Sequence, residues 1–116
     1  MSDKNGKGSV LEVCLAKGKD LSSLVEYADD SIVSKTVIDK KAGTLTLFAF
    51  DKGQRLSEHR APYDAVVQVV DGIGRITIAG VDNDVSAGQI IIMPADVPHS
   101  VTAGERFKML LIMIRN

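Results

Sequence analysis

From Ile32 to its end the chain is a succession of short segments rich in β-branched and aromatic residues, each closed by a turn carrying Gly, Asp or Pro. The pattern predicts strands over 34–39, 44–51, 55–61, 65–70, 74–79, 89–93, 97–102 and 107–115. Lys40-Lys41-Ala42-Gly43, Asp71-Gly72 and Gly80-Val81-Asp82-Asn83 supply turn chemistry between them. Many short strands at even spacing cannot build a helical bundle or a doubly wound sheet. They call for an all-β sandwich or barrel.

Only the segment before Ile32 departs from this pattern. Leu21, Leu24 and Val25 recur at helical spacing, and Asp20 is placed to cap them, which predicts one short N-terminal helix packed on the sheet. Residues 1–9 are polar and glycine-containing, so they are expected to fray, leaving 10–116 as a single domain.

The chain has 116 residues, 45% hydrophobic and 25% charged, with a formal net charge of −1. That balance gives no electrostatic footprint for nucleic acid or an anionic membrane. The apolar run from Met109 to Ile114 is far too short to span a bilayer as a helix. The start lacks the apolar core of a signal peptide. Cys14 is the one cysteine, which excludes an internal disulfide. Within Val13-Cys14-Leu15-Ala16 it is expected to be a buried thiol. The expected location is cytoplasmic.

The two histidines of the chain, His59 and His99, both fall in strand segments. Residues two apart share a face of a strand. Arg55, Ser57, His59 and Ala61 are therefore expected on one face, as are Val97, His99, Val101 and Ala103. Closing the sheet could bring the two imidazoles together among small and apolar neighbours.

The spacing around these histidines resembles the two motifs of a cupin, a small β-barrel of the double-stranded β-helix or jelly-roll type. The first motif runs glycine, five residues, histidine, one residue, histidine, three or four residues, glutamate, six residues, glycine. Gly53, His59 and Gly72 match it, whereas Ala61 and Ala65 stand where the second histidine and the glutamate belong. The second motif runs glycine, five residues, proline, one residue, glycine, two residues, histidine, three residues, asparagine. Gly88, Pro94 and His99 match, with Asp96 and Ala103 in place of the glycine and the asparagine.

The resemblance implies a divalent transition metal held by His59 and His99. It also implies a third ligand that the matched positions do not supply. Asp64, beside the glutamate position, and Gln54 are the candidates. Glu58 and Arg60 flank His59 on the opposite face, and Gln68 is expected on the outer one.

Two functions follow. One is a cupin that binds a small organic ligand, with a degenerate two-histidine metal site. Its pocket would be formed by His59, His99, Ala61, Ala65, Tyr63 and Met93. The alternative is a metal-dependent cupin enzyme, a dioxygenase or isomerase acting on a small organic acid or sugar. A purely structural dimerisation module would leave both inward histidines without a role.

Phe107, Met109, Leu111 and Met113 alternate with Lys108, Leu110, Ile112 and Ile114, so this strand is apolar on both faces. Phe48 and Phe50 likewise oppose Leu45, Leu47 and Ala49. One face of each should meet the core and the other a helix or a partner subunit. A homodimer is expected.

Overall fold

The computed structural model describes residues 9–115 and is built from ten strands. They are β1 (Ser9–Val10), β2 (Ile32–Lys40), β3 (Gly43–Phe50), β4 (Arg55–His59), β5 (Ala65–Asp71), β6 (Ile73–Ile78), β7 (Val81–Ser86), β8 (Ile90–Met93), β9 (His99–Thr102) and β10 (Phe107–Ile114). Six form one antiparallel sheet in the order β1-β2-β3-β10-β5-β8, and four form a second in the order β4-β9-β6-β7. The all-β jelly-roll expectation is met. Residues 1–8, expected to fray, lie outside the described residues, and Ser9 opens β1 opposite Asp39. Among the described residues no helix is long and apolar enough to cross a membrane.

The expected N-terminal helix does not form. Two 3₁₀ turns stand there instead, Glu12–Cys14 and Leu21–Ser23. Asp20 makes no side-chain cap, and the Ser23 hydroxyl donates back to the Asp20 carbonyl at 2.8 Å. A short isolated helix repays its nucleation poorly, and serine bonding to nearby backbone offers an alternative to the helical ladder. Val13 and Leu15 are exposed and Cys14 is only half-buried, so that apolar run is not core, against expectation.

A strand also stands where a turn was expected. Ala79 and Gly80 both have positive φ, 51° and 81°, the two-residue geometry that joins twisted strands tightly. The turn is complete at Gly80, and residues 81–83 continue as β7. Directly across from it, Arg75 pairs with Asp84 and Thr77 with Asp82, so the acidic residues lie on the outer face of a ladder.

Both faces of the six-stranded sheet are apolar, and the structure shows what each meets. Inward, Phe50, Ala65, Val67, Val69, Phe107 and Met109 join Ile76, Val85 and Val101 of the facing sheet in one core. Outward, Leu47, Ala49 and Leu110 bury Val25, with Leu21, Leu24 and Tyr27 packed around it. The N-terminal segment thus lies as an irregular strap over β3 and β10. Tyr27 donates to Asp71 at 2.5 Å, and the cations of Arg106 and Lys108 sit over its ring.

Large rings fill one end of the barrel. Phe50 and Phe107 stack at 4.7 Å, and Gly74 leaves room for the Phe107 ring: a Cβ there would lie 2.3 Å from Cε2. The opposite end carries alanines, methionines and the two histidines.

Candidate functional site

His59 ends β4, His99 begins β9, and the two are direct partners across the ladder. Strict alternation would set Leu56 on the face opposite His59. A bulge between Leu56 and His59 shifts the register, and both residues line the same cavity. Ser57 and Glu58 instead border an outer groove with Ser100 and Thr102. The expected inward Arg55-Ser57-His59 stripe is therefore interrupted, and β4 ends at His59, short of Ala61.

Each ring nitrogen has a partner within hydrogen-bond distance. His59 Nδ1 lies 3.2 Å from the Ser57 carbonyl, and His99 Nδ1 lies 3.2 Å from the Val97 carbonyl. A carbonyl can only accept, so in the tautomer that satisfies both carbonyls each Nδ1 carries the hydrogen and each Nε2 keeps a lone pair. The two Nε2 atoms face each other at 3.2 Å, with the rings edge-to-face at 72°. In that tautomer no hydrogen lies between them. The pair is built to receive one electrophile, whether a proton or a cation.

The imidazoles differ in setting. His99 is 5% exposed, whereas His59 opens to solvent at the cavity mouth. Burial, followed by the neighbouring His59, lowers the pKa of His99, with the bond to the Val97 carbonyl opposing.

Around the pair lies a cavity of about 320 Å³ whose wall is mostly hydrocarbon and thioether. It brings together all six residues expected from the sequence: His59, His99, Ala61, Ala65, Tyr63 and Met93. Arg60, Pro62, Leu56, Val101, Met109, Leu111 and Met113 complete it. In the sequence Met109 and Met113 mark only one face of a strand that is apolar on both. Ala103 is buried but lies beyond the far end of β9, where its carbonyl accepts from Gly53, so it does not widen this cavity.

The Pro94–Pro98 loop delivers His99, and its shape is held from both sides. Asp96 has φ 62° at the motif's glycine position, a left-handed conformation that aspartate tolerates. Its N–H donates to the Ala61 carbonyl at 2.7 Å, while Ala95 N–H donates to Asp64 Oδ1 at 2.9 Å. Asp64 therefore secures the loop and is not a third ligand. Gln54 is not a pocket residue either; its backbone pairs with Asp51 and Ala103. A larger depression of about 530 Å³ lies outside the barrel between Ile73, Arg75 and Arg106, but both arginines there are already ion-paired.

The pair meets part of what a divalent metal requires. Metal–nitrogen bonds of about 2.0 Å, closed on a 3.2 Å nitrogen separation, subtend about 106°, near the tetrahedral angle. Donor number and charge do not fit. Among the described residues no three of His, Cys, Asp and Glu come together, and no carboxylate offsets the charge of a dication.

Residues 46–114 match the family model described as a cupin domain. A conserved protein of unknown function from Streptococcus pyogenes shares 38% identity over 87% of this chain and 89% of its own, with a TM-score of 0.83. A cupin 2 conserved barrel domain protein from Leptotrichia buccalis shares 41% identity over 82% of this chain, with a TM-score of 0.79; the match spans 46% of that protein. Salicylate 1,2-dioxygenase from Pseudoaminobacter salicylatoxidans shares the fold, with a TM-score of 0.67, at 16% identity over 72% of this chain and 26% of its own. No curated protein sequence matches. With the barrel, both histidine segments and the family model in agreement, this chain belongs to the cupins.

Proposed function

We propose that the protein binds a small, mainly apolar organic molecule through one acidic hydroxyl, such as a carboxylic acid or a phenol. The observation that supports this is the pair of opposed Nε2 atoms, 3.2 Å apart, at the wall of an otherwise hydrocarbon cavity. An acidic O–H can give its proton to one Nε2. The resulting imidazolium N–H then bonds the other Nε2 or the ligand's anionic oxygen. Arg60, at the cavity wall, adds a cation toward the same anion. At about 320 Å³ the cavity is at the small end of the range for ligand sites, which limits the guest to roughly one ring.

Calorimetry on metal-free protein tests this with small aromatic carboxylates and their neutral amides. The acids should bind and the amides should not, and His99→Ala should abolish binding. Equal binding of acid and amide would overturn the reading.

A metal-dependent enzyme acting on a small organic acid or sugar is the second reading, favoured by the near-tetrahedral bite of the two imidazoles. It needs further ligands from the substrate. Elemental analysis of protein purified without chelator tests it. A stoichiometric divalent metal that disappears in His59→Ala would support it, and metal-free, active wild type would remove it.

We also read the protein as a homodimer of the cytoplasm. On the outer sheet face Ile92, Val66, Ile112 and Leu45 form one cross-strand row. The N-terminal strap covers the Leu45 and Ile112 side, while Ile90 and Ile92 stay 63% and 58% exposed. A second copy laid on this bare half would bury the row. Sedimentation should give a dimer that Ile92→Lys converts to a monomer; a monomeric wild type would refute it.

A further inference from the structure

One row of the inner sheet surface carries two thioethers. Ala65 of β5 has Met93 of β8 as its direct partner on one side and Met113 of β10 on the other. Neighbouring strands lie about 4.8 Å apart, so the two methionine backbones straddle Ala65. Both side chains line the cavity that His59 and His99 also line, and Met93 is 3% exposed. Ala65 ends at its Cβ and leaves the space between them open. A methionine side chain turns about three bonds and can reach into such a space.

These four donors have one property in common: all are neutral. Two imidazole nitrogens present lone pairs at a near-tetrahedral bite. A thioether adds no charge and is a poor partner for a proton or a hard cation, but a good one for a soft cation. The wall contains no carboxylate, so a dication there would be buried with its full charge uncompensated. The cost of burying an ion rises with the square of its charge, so a single positive charge is far better tolerated. Copper in its monovalent state joins both requirements, being soft and singly charged, and it accepts three or four nitrogen and sulfur donors.

The geometry points to a Cu(I) site formed by His59 Nε2, His99 Nε2 and the thioether sulfurs of Met93 and Met113. His59, exposed at the mouth, is the first group an arriving ion meets, and the methionines line the same cavity from the opposite sheet. The same residues that fall short as a site for the family's divalent metals form a complete donor set for this ion. The inference does not depend on the organic-ligand reading, which concerns the metal-free protein.

The test uses the full chain with Cys14→Ser as background, because a half-buried thiol would itself capture Cu(I). Under strictly anaerobic conditions, with a mild reductant, the protein competes for Cu(I) against a coloured bidentate chelator. One equivalent per chain should be withdrawn from the chelator. Met93→Leu combined with Met113→Leu keeps volume and fold. It should weaken Cu(I) binding by more than the roughly tenfold that outer-shell changes cost, while the thermal melt of the copper-free protein stays close to that of the background. X-ray absorption at the copper edge should show a sulfur shell that the double variant lacks. Failure to withdraw copper would overturn the site. Unchanged Cu(I) affinity in the double variant, or an all-nitrogen spectrum in the wild type, would do the same. Acid binding by the metal-free protein is a separate measurement and can succeed or fail independently.

Discussion

The two ends of this barrel are made from the same strands and behave as opposites. At one end Phe50 and Phe107 stack at 4.7 Å over Gly74, with Val69, Ile76 and Val85 closing the space. At the other, β5 and β9 begin at Ala65 and His99, β8 ends in Met93, and the interior stays open by about 320 Å³. Packing at the first end leaves each side chain one position. At the second, small side chains make a hollow and flexible ones line it. Stability is concentrated at the closed end, and chemistry at the open one.

The largest test of that contrast is Phe107→Ala. Phe107 is fully buried and sits in contact with Phe50 and the Gly74 backbone, so the cavity left behind cannot collapse. A loss of about 3–5 kcal/mol is expected in denaturant titration. Gly74→Ala attacks the same contact from the other side. Its new Cβ would meet the Phe107 ring at 2.3 Å, and the ring has nowhere to go. Overpacking of this kind should cost about 1–3 kcal/mol. At the open end, Met93→Leu keeps volume beside a hollow and should cost less than about 1.5 kcal/mol. If Met93→Leu proved as damaging as Phe107→Ala, the division of labour between the ends would be wrong.

The sequence disclosed these ends unequally. The strands were legible because burial on alternate positions leaves a period-two pattern, as in Ala65, Val67 and Val69. Both histidines were legible because turns fix their distance from Gly53, Gly72, Gly88 and Pro94. The bulge that turns Leu56 inward beside His59 was not, because one added residue breaks alternation without any residue type to mark it. β7 was missed for the opposite reason. Val81-Asp82-Asn83 has turn composition, but the turn is already complete in Ala79-Gly80, and the aspartates serve as ladder partners of Arg75 and Thr77. The false helix came from Leu21, Leu24 and Val25, whose spacing serves one buried contact of an irregular strap. Met113 looked like ordinary core, since nothing local shows that its neighbour across the strand is an alanine beside a cavity.

The smallest expected effect concerns how the strap is tied to the closed end. Asp51, just past Phe50, accepts from Arg106 Nε at 2.7 Å and from the Asp30 N–H at 2.6 Å, while Arg106 also reaches Asp29 at 2.9 Å. The Arg106 bond first, then the Asp30 N–H, lowers the Asp51 pKa from its ordinary 3.8 to about 2. Between those values the unfolded chain takes up a proton that the folded one refuses. The contribution is thus fully present above pH 3.8 and is lost as pH falls through about 2. Thermal melts across that window should show Asp51→Asn less stable than wild type at pH 5, with the gap narrowing toward pH 2. Because the partners are at the surface, the difference should be small and reduced by salt. A gap that did not change with pH would show that Asp51 acts by packing or hydrogen-bond geometry and not by charge.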